Sequence, residues 1–98
     1  MRLELVAIGA GSARVVATLR TNAQGRTDAP LLDGTAMIAG EYEIVFHVGE
    51  YFRREGVDVG TPAFLERVPV RFGIARPDEH YHVPLLCTPW SYATYRGS

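Results

Sequence analysis

Two histidines, His80 and His82, stand two residues apart. In an extended strand that spacing puts both imidazoles on one face, roughly 6 to 7 Å apart. A pair so placed can bind a metal or share the handling of a proton, and it can equally cap a polar sheet face. A zinc centre needs a third ligand, for which His47, Cys87 and the carboxylates are the candidates. Cys87 lies at an odd offset from His82, which turns it to the opposite face, and its setting in Leu85-Leu86-Cys87 reads as a small buried hydrophobe rather than a nucleophile. His47 belongs to another strand, and spacing alone does not place it. With no third ligand at a diagnostic spacing, no metal site is expected.

Arg26 follows the polar turn Asn22-Ala23-Gln24-Gly25, where its guanidinium either pairs locally with Asp28 or points at an anionic or developing oxyanion group. The chain closes on Tyr95-Arg96-Gly97-Ser98. A phenol, a guanidinium, a hydroxyl and a carboxylate thus gather directly after a strand, where chain ends ordinarily fray. All ten basic residues are arginine, so no lysine is available for Schiff-base or general-base chemistry.

These groups must be positioned by strands. Apolar and polar residues alternate with period two, interrupted by Gly, Pro, Asn and Asp about every ten residues. The pattern predicts strands over 3–8 and 13–21 joined as a hairpin, with Val15, Ala17 and Leu19 on one face. A short extended piece lies within 28–34. Strands follow over 40–48 (Tyr42, Ile44 and Phe46 on one face), over 64–74 (Phe64, Val68, Val70 and Phe72 on one face, Pro69 on the other), over 81–87 and over 91–96. Residues 50–55 form the one expected helix, with Glu50 and Arg54 four apart and Gly56 as its stop. About seven short strands and one small helix make an all-β antiparallel sandwich.

At 98 residues, 47% hydrophobic and 21% charged, the chain suits a single folded domain over residues 1–98. Its formal net charge of -1 gives no electrostatic footprint for nucleic acid or an anionic membrane, so neither partner is expected. One cysteine forms no intrachain disulfide. No apolar run approaches the roughly 18 residues of a membrane helix, and no signal peptide follows Met1. The cytoplasm is the expected location, with the periplasm as the alternative if a signal precedes Met1. So small a domain is a natural candidate for stabilisation by oligomerisation.

Taken in order, several segments resemble the transthyretin-like family and, within it, the 5-hydroxyisourate hydrolase branch. They are Asn22-Ala23-Gln24-Gly25-Arg26 leading to Ala29-Pro30-Leu31-Leu32, Gly40-Glu41-Tyr42-Glu43 with Phe46-His47-Val48-Gly49-Glu50-Tyr51-Phe52, Phe64-Leu65 with Val70-Arg71-Phe72, His80-Tyr81-His82-Val83-Pro84-Leu85-Leu86, and Tyr95-Arg96-Gly97-Ser98. The closing tetrapeptide separates the hydrolases from the hormone carriers. The resemblance implies a transthyretin-like sandwich assembled as a homotetramer, a dimer of dimers, with active sites where the dimers meet. It also implies a small-molecule substrate, 5-hydroxyisourate, hydrolysed to a ureidoimidazoline carboxylate in urate and purine catabolism without metal or organic cofactor. By position, His82, Arg26 and Ser98 match catalytic residues of the family, and Arg26, Tyr95 and His80 match substrate-binding ones.

The family also carries an earlier strand whose His-Val-Leu-Asp motif supplies a second catalytic histidine. Here Met1–Leu5 corresponds to the family's second strand, so this chain is expected to act weakly and an upstream-extended one fully. Two other readings stand beside hydrolysis. One is a transthyretin-like carrier or inactive relative, favoured by the missing histidine. The other is a metal-dependent hydrolase using His80 and His82, which a chelator would inhibit.

Overall fold

Alternation, one bulge and turns at Gly56 and Gly60 account for the architecture of the computed structural model, which describes residues 1–9, 12–20, 39–76 and 83–96. In chain order its elements are β1 (Arg2–Gly9), β2 (Ser12–Arg20), β3 (Gly40–Phe46), α1 (Val48–Arg54), β4 (Val68–Ile74), β5 (Leu85–Cys87) and β6 (Tyr92–Thr94). The first four strands form one antiparallel sheet in the order β2-β1-β3-β4, and β5 and β6 form a second. Tyr42, Ile44 and Phe46 are buried while the residues between them are not fully covered, as the alternation requires. Leu3 and Leu5 of β1 and Val68, Val70 and Ile74 of β4 complete the same buried face. Val83, Leu85 and Cys87 pack against this cluster, which makes the two sheets the layers of a sandwich. The fold is the expected antiparallel β-sandwich with one short helix. The short extended piece within 28–34 lies outside the described residues.

Several local expectations are corrected: the strands over 81–87 and 91–96 are confined, among the described residues, to β5 and β6, and the helix expected over 50–55 starts at Val48 and ends at Arg54. The β1–β2 register slips between Leu5 and Val6, so that Leu5 opposes Ala17 and Val6 opposes Val15, leaving Val16 as the extra residue. A bulge of this kind reverses side-chain parity, and Val15 therefore does not share a face with Ala17. The strand over 40–48 ends at Phe46, because Val48 already belongs to α1 and is fully buried there. The strand over 64–74 begins only at Val68; residues 60–66 turn, and Phe64 is 73% exposed rather than facing the core. Pro69 points outward on β4, an outer strand of the sheet, where a missing donor is tolerated.

The helix forms where Glu50 meets the positive end of the helix dipole and Arg53 and Arg54 its negative end. The expected Glu50–Arg54 pair is present at 3.8 Å. Gly56 ends the helix with φ +84°, a conformation that disfavours any side chain bearing a Cβ.

Candidate functional site

Thr88 organises the hairpin that carries the chain toward its C-terminus. Its Oγ1 accepts from the backbone N–H of Trp90 at 3.1 Å and of Ser91 at 3.0 Å, and its own N–H donates to the Ser91 carbonyl at 2.9 Å. This side-chain turn aligns Leu86 with Ala93 and Leu85 with Thr94. Thr94 Oγ1 then donates to the Pro84 carbonyl at 2.8 Å, fixing the strand end from which Tyr95 projects.

Thr94, Tyr95 and Arg96 form one wall of a cleft of about 340 Å³, whose other wall is β4 from Val70 to Gly73 together with Ala75 and Val83. The volume lies within the range of small-ligand sites. Arg71 enters this wall because it alternates with buried Val70 and faces outward. Its cross-strand partner is Glu43, with an N–O distance of 3.6 Å. Next to it, Phe72 stacks on its register partner Tyr42 with ring centroids 6.2 Å apart, which stiffens that wall. Tyr95, Arg71 and Arg96 thus border a partly apolar cleft, residue types suited to a planar molecule rich in oxygen acceptors.

Of the residues singled out by sequence, Tyr95 is described, and it is 56% exposed beside this cleft. Arg26, His80, His82 and Ser98 lie outside the described residues. Arg71 lines the cleft without being singled out by spacing or motif; its outward position in Val68-Pro69-Val70-Arg71-Phe72 is the one local signal. Cys87 is half-buried against the core, and burial pushes its thiol up, consistent with an inert hydrophobe.

His47 is placed by the structure at the corner between β3 and α1, 7% exposed. Arg2 Nη2 donates to its Nδ1 at 3.3 Å, and its Nε2 donates to Glu4 Oε1. With both ring nitrogens engaged, it is not a spare metal ligand.

A family model described as HIUase/Transthyretin family matches residues 1–97. The chain is 50% identical over 98 residues, all of its length and 82% of the relative's, to a protein of Rhizobium meliloti (strain 1021) named 5-hydroxyisourate hydrolase 2. It is 58% identical over 83 residues to 5-hydroxyisourate hydrolase of Ralstonia nicotianae, spanning 85% of this chain and 71% of that one. Among solved structures, one described as (S)-allantoin synthase superposes with a TM-score of 0.89 at 44% identity, over 100% of this chain and 37% of the other.

Proposed function

The chain belongs to the HIUase/transthyretin family, and on that footing we propose that it hydrolyses 5-hydroxyisourate to 2-oxo-4-hydroxy-4-carboxy-5-ureidoimidazoline in urate and purine catabolism. The observation that carries this reading is identity at half of the positions, along the full 98 residues, with a relative named as that hydrolase. The name (S)-allantoin synthase belongs to a protein of which this chain spans 37%, and it is not carried over.

In the proposed mechanism water adds to a ring carbonyl of an electron-poor heterocycle, and collapse of the oxyanion breaks the adjacent ring C–N bond while the proton taken from water passes to the departing nitrogen. A neutral imidazole is the side chain best matched to removing the water proton near neutral pH, and His82 takes that role with His80 beside it on the substrate. Arg26 holds the heterocycle's oxygens and steadies the oxyanion. Tyr95 and Ser98 orient the ring. Arg71 and Arg96 add positive potential to the cleft that Tyr95 borders. No metal or organic cofactor enters these steps.

The working unit in this proposal is a homotetramer built from one transthyretin-like domain over residues 1–98. Its support is exposed apolar surface: Phe64, Leu86 and Trp90 are 73%, 62% and 59% exposed, and β4 is an outer strand of its sheet. Among the described residues no helix is long and apolar enough to cross a membrane, and the cytoplasm is the proposed location.

The test is ultraviolet absorbance on freshly generated 5-hydroxyisourate. It compares this chain and His82→Ala, each with and without chelator. Faster decay that is lost in His82→Ala and unchanged by chelator supports the proposal. No acceleration by any form sinks it and leaves the carrier; inhibition by chelator replaces it with the metal-dependent hydrolase.

A further inference from the structure

The network around His47 lies outside the hydrolytic residues. Arginine only donates, so the 3.3 Å contact from Arg2 Nη2 requires a bare lone pair on His47 Nδ1. The proton of the neutral ring then sits on Nε2, where it is donated to Glu4. The imidazole therefore bridges a cation and an anion that both come from β1. Arg2 reaches on to Glu50 Oε2 at 3.1 Å, and Glu50 meets Arg54 at 3.8 Å. Beneath these side chains the His47 backbone N–H donates to the Arg2 carbonyl at 3.0 Å, prolonging the β1–β3 ladder by one bond.

We propose that His47 is a proton-operated latch: its neutral Nε2–H form holds the start of β1 on the β3–α1 corner, and a proton taken from water onto Nδ1 releases it. Protonation turns Nδ1 from acceptor into donor, facing the Arg2 N–H groups at a separation at which two donors repel. Arg2 has little to fall back on, since its buried Nε already lacks a hydrogen-bond partner and, among the described residues, Glu50 is the one carboxylate paired with it. Glu4 keeps its contact with the ring, because Nε2 carries a proton in both forms. The release is thus directional, with the tip of Arg2 leaving while Glu4 stays. The charged groups facing this site are Arg2 and Glu4 from β1 and Glu50 and Arg54 from α1. From the flanking strands, Thr18 opposes Glu4 and Val68 opposes Phe46, both uncharged, while Arg20 stands opposite Arg2 in the register.

Two measurements on the full chain test this. Long-range proton–nitrogen correlation of the His47 ring at neutral pH is expected to show a protonated Nε2 and a bare Nδ1; a protonated Nδ1 overturns the latch. Hydrogen exchange of the residue 47 amide, divided by its intrinsic rate, is expected to rise about tenfold when the solution is taken from neutral to mildly acid pH. His47→Asn keeps a short acceptor without a titrating ring and should abolish the rise. Arg2→Met removes the repelled cation and should remove most of it. An unchanged rise in either variant, or none in the parent chain, overturns the proposal.

Discussion

Arg53 grips Glu66 with both terminal nitrogens, Nη1 to Oε2 at 2.8 Å and Nη2 to Oε1 at 2.6 Å. The same arginine donates to the Gly60 carbonyl at 2.9 Å, and Glu66 Oε1 also accepts from the Ala63 backbone N–H at 3.0 Å. One bidentate pair therefore ties the end of α1 to the turning segment before β4.

This clasp makes stability acid-sensitive. The Arg53 guanidinium, followed by the Ala63 N–H, holds the Glu66 carboxyl well below the usual range, at about 2 against 4.5. A carboxylate lowered on folding adds stability above its unfolded value and loses it as the pH falls from 4.5 toward 2. Urea midpoints should drop more steeply through this window for the parent chain than for Glu66→Gln; parallel slopes would refute the assignment.

Gly49 lies under the clasp. A Cβ placed there would come within 2.1 Å of Glu66 Oε2 and 3.2 Å of Ala63 Cβ. Alanine normally gains about 1 kcal/mol over glycine inside a helix. Here Gly49→Ala should instead cost about 1 kcal/mol, since Glu66 must swing off Arg53. In a Glu66→Ala background the same change should become stabilising, a reversal that a double-mutant cycle reads directly. Simple additivity would remove the clasp from the explanation.

Ile44 has no exposed surface at the centre of the sheet, whereas Leu86 is 62% exposed. Truncating Ile44 to alanine should cost about 2 to 5 kcal/mol through lost burial and a cavity. Leu86→Ala should leave the stability of the isolated subunit within about 0.5 kcal/mol. Chemical denaturation of both at a protein concentration low enough to keep the subunits apart decides whether the core lies where β3 places it.

Tyr95→Phe preserves the ring beside the cleft and removes its hydroxyl. If the phenol orients substrate, kcat/KM should fall about tenfold, the equivalent of one hydrogen bond, with unfolding unchanged. Equal turnover would confine Tyr95 to a structural part.

The sheet was legible because Tyr42, Ile44 and Phe46 report burial through period two alone. The limits of β4 were not. Phe64 and Leu65 look like strand residues, but Glu66 is held in a turning segment by a local bond from the Ala63 N–H and by Arg53 from α1, and the arginine, 13 residues away, leaves no local pattern. The bulge at Val16 was equally silent, since Val15 and Val16 fit either face. At the cleft, the closing tetrapeptide singles out Tyr95, which borders it, while Arg71 lines it only through the position of β4 across from Thr94, Tyr95 and Arg96. The role of His47 depended on Arg2 and Glu4, more than forty residues earlier in the chain.

The unpaired Val16 also bears on how the protein behaves in crowded solution. β2 is an outer strand of its sheet, and Val15 and Val16 are 53% and 41% exposed, a β-branched pair of the kind that seeds fibres when a flat edge is offered to another chain. The slipped register breaks the even spacing of donors and acceptors that a stacking strand would copy, and its added twist curls the edge away. Deleting Val16 would leave every pairing in the β1–β2 ladder intact and restore a flat template, trading colloidal safety for regularity.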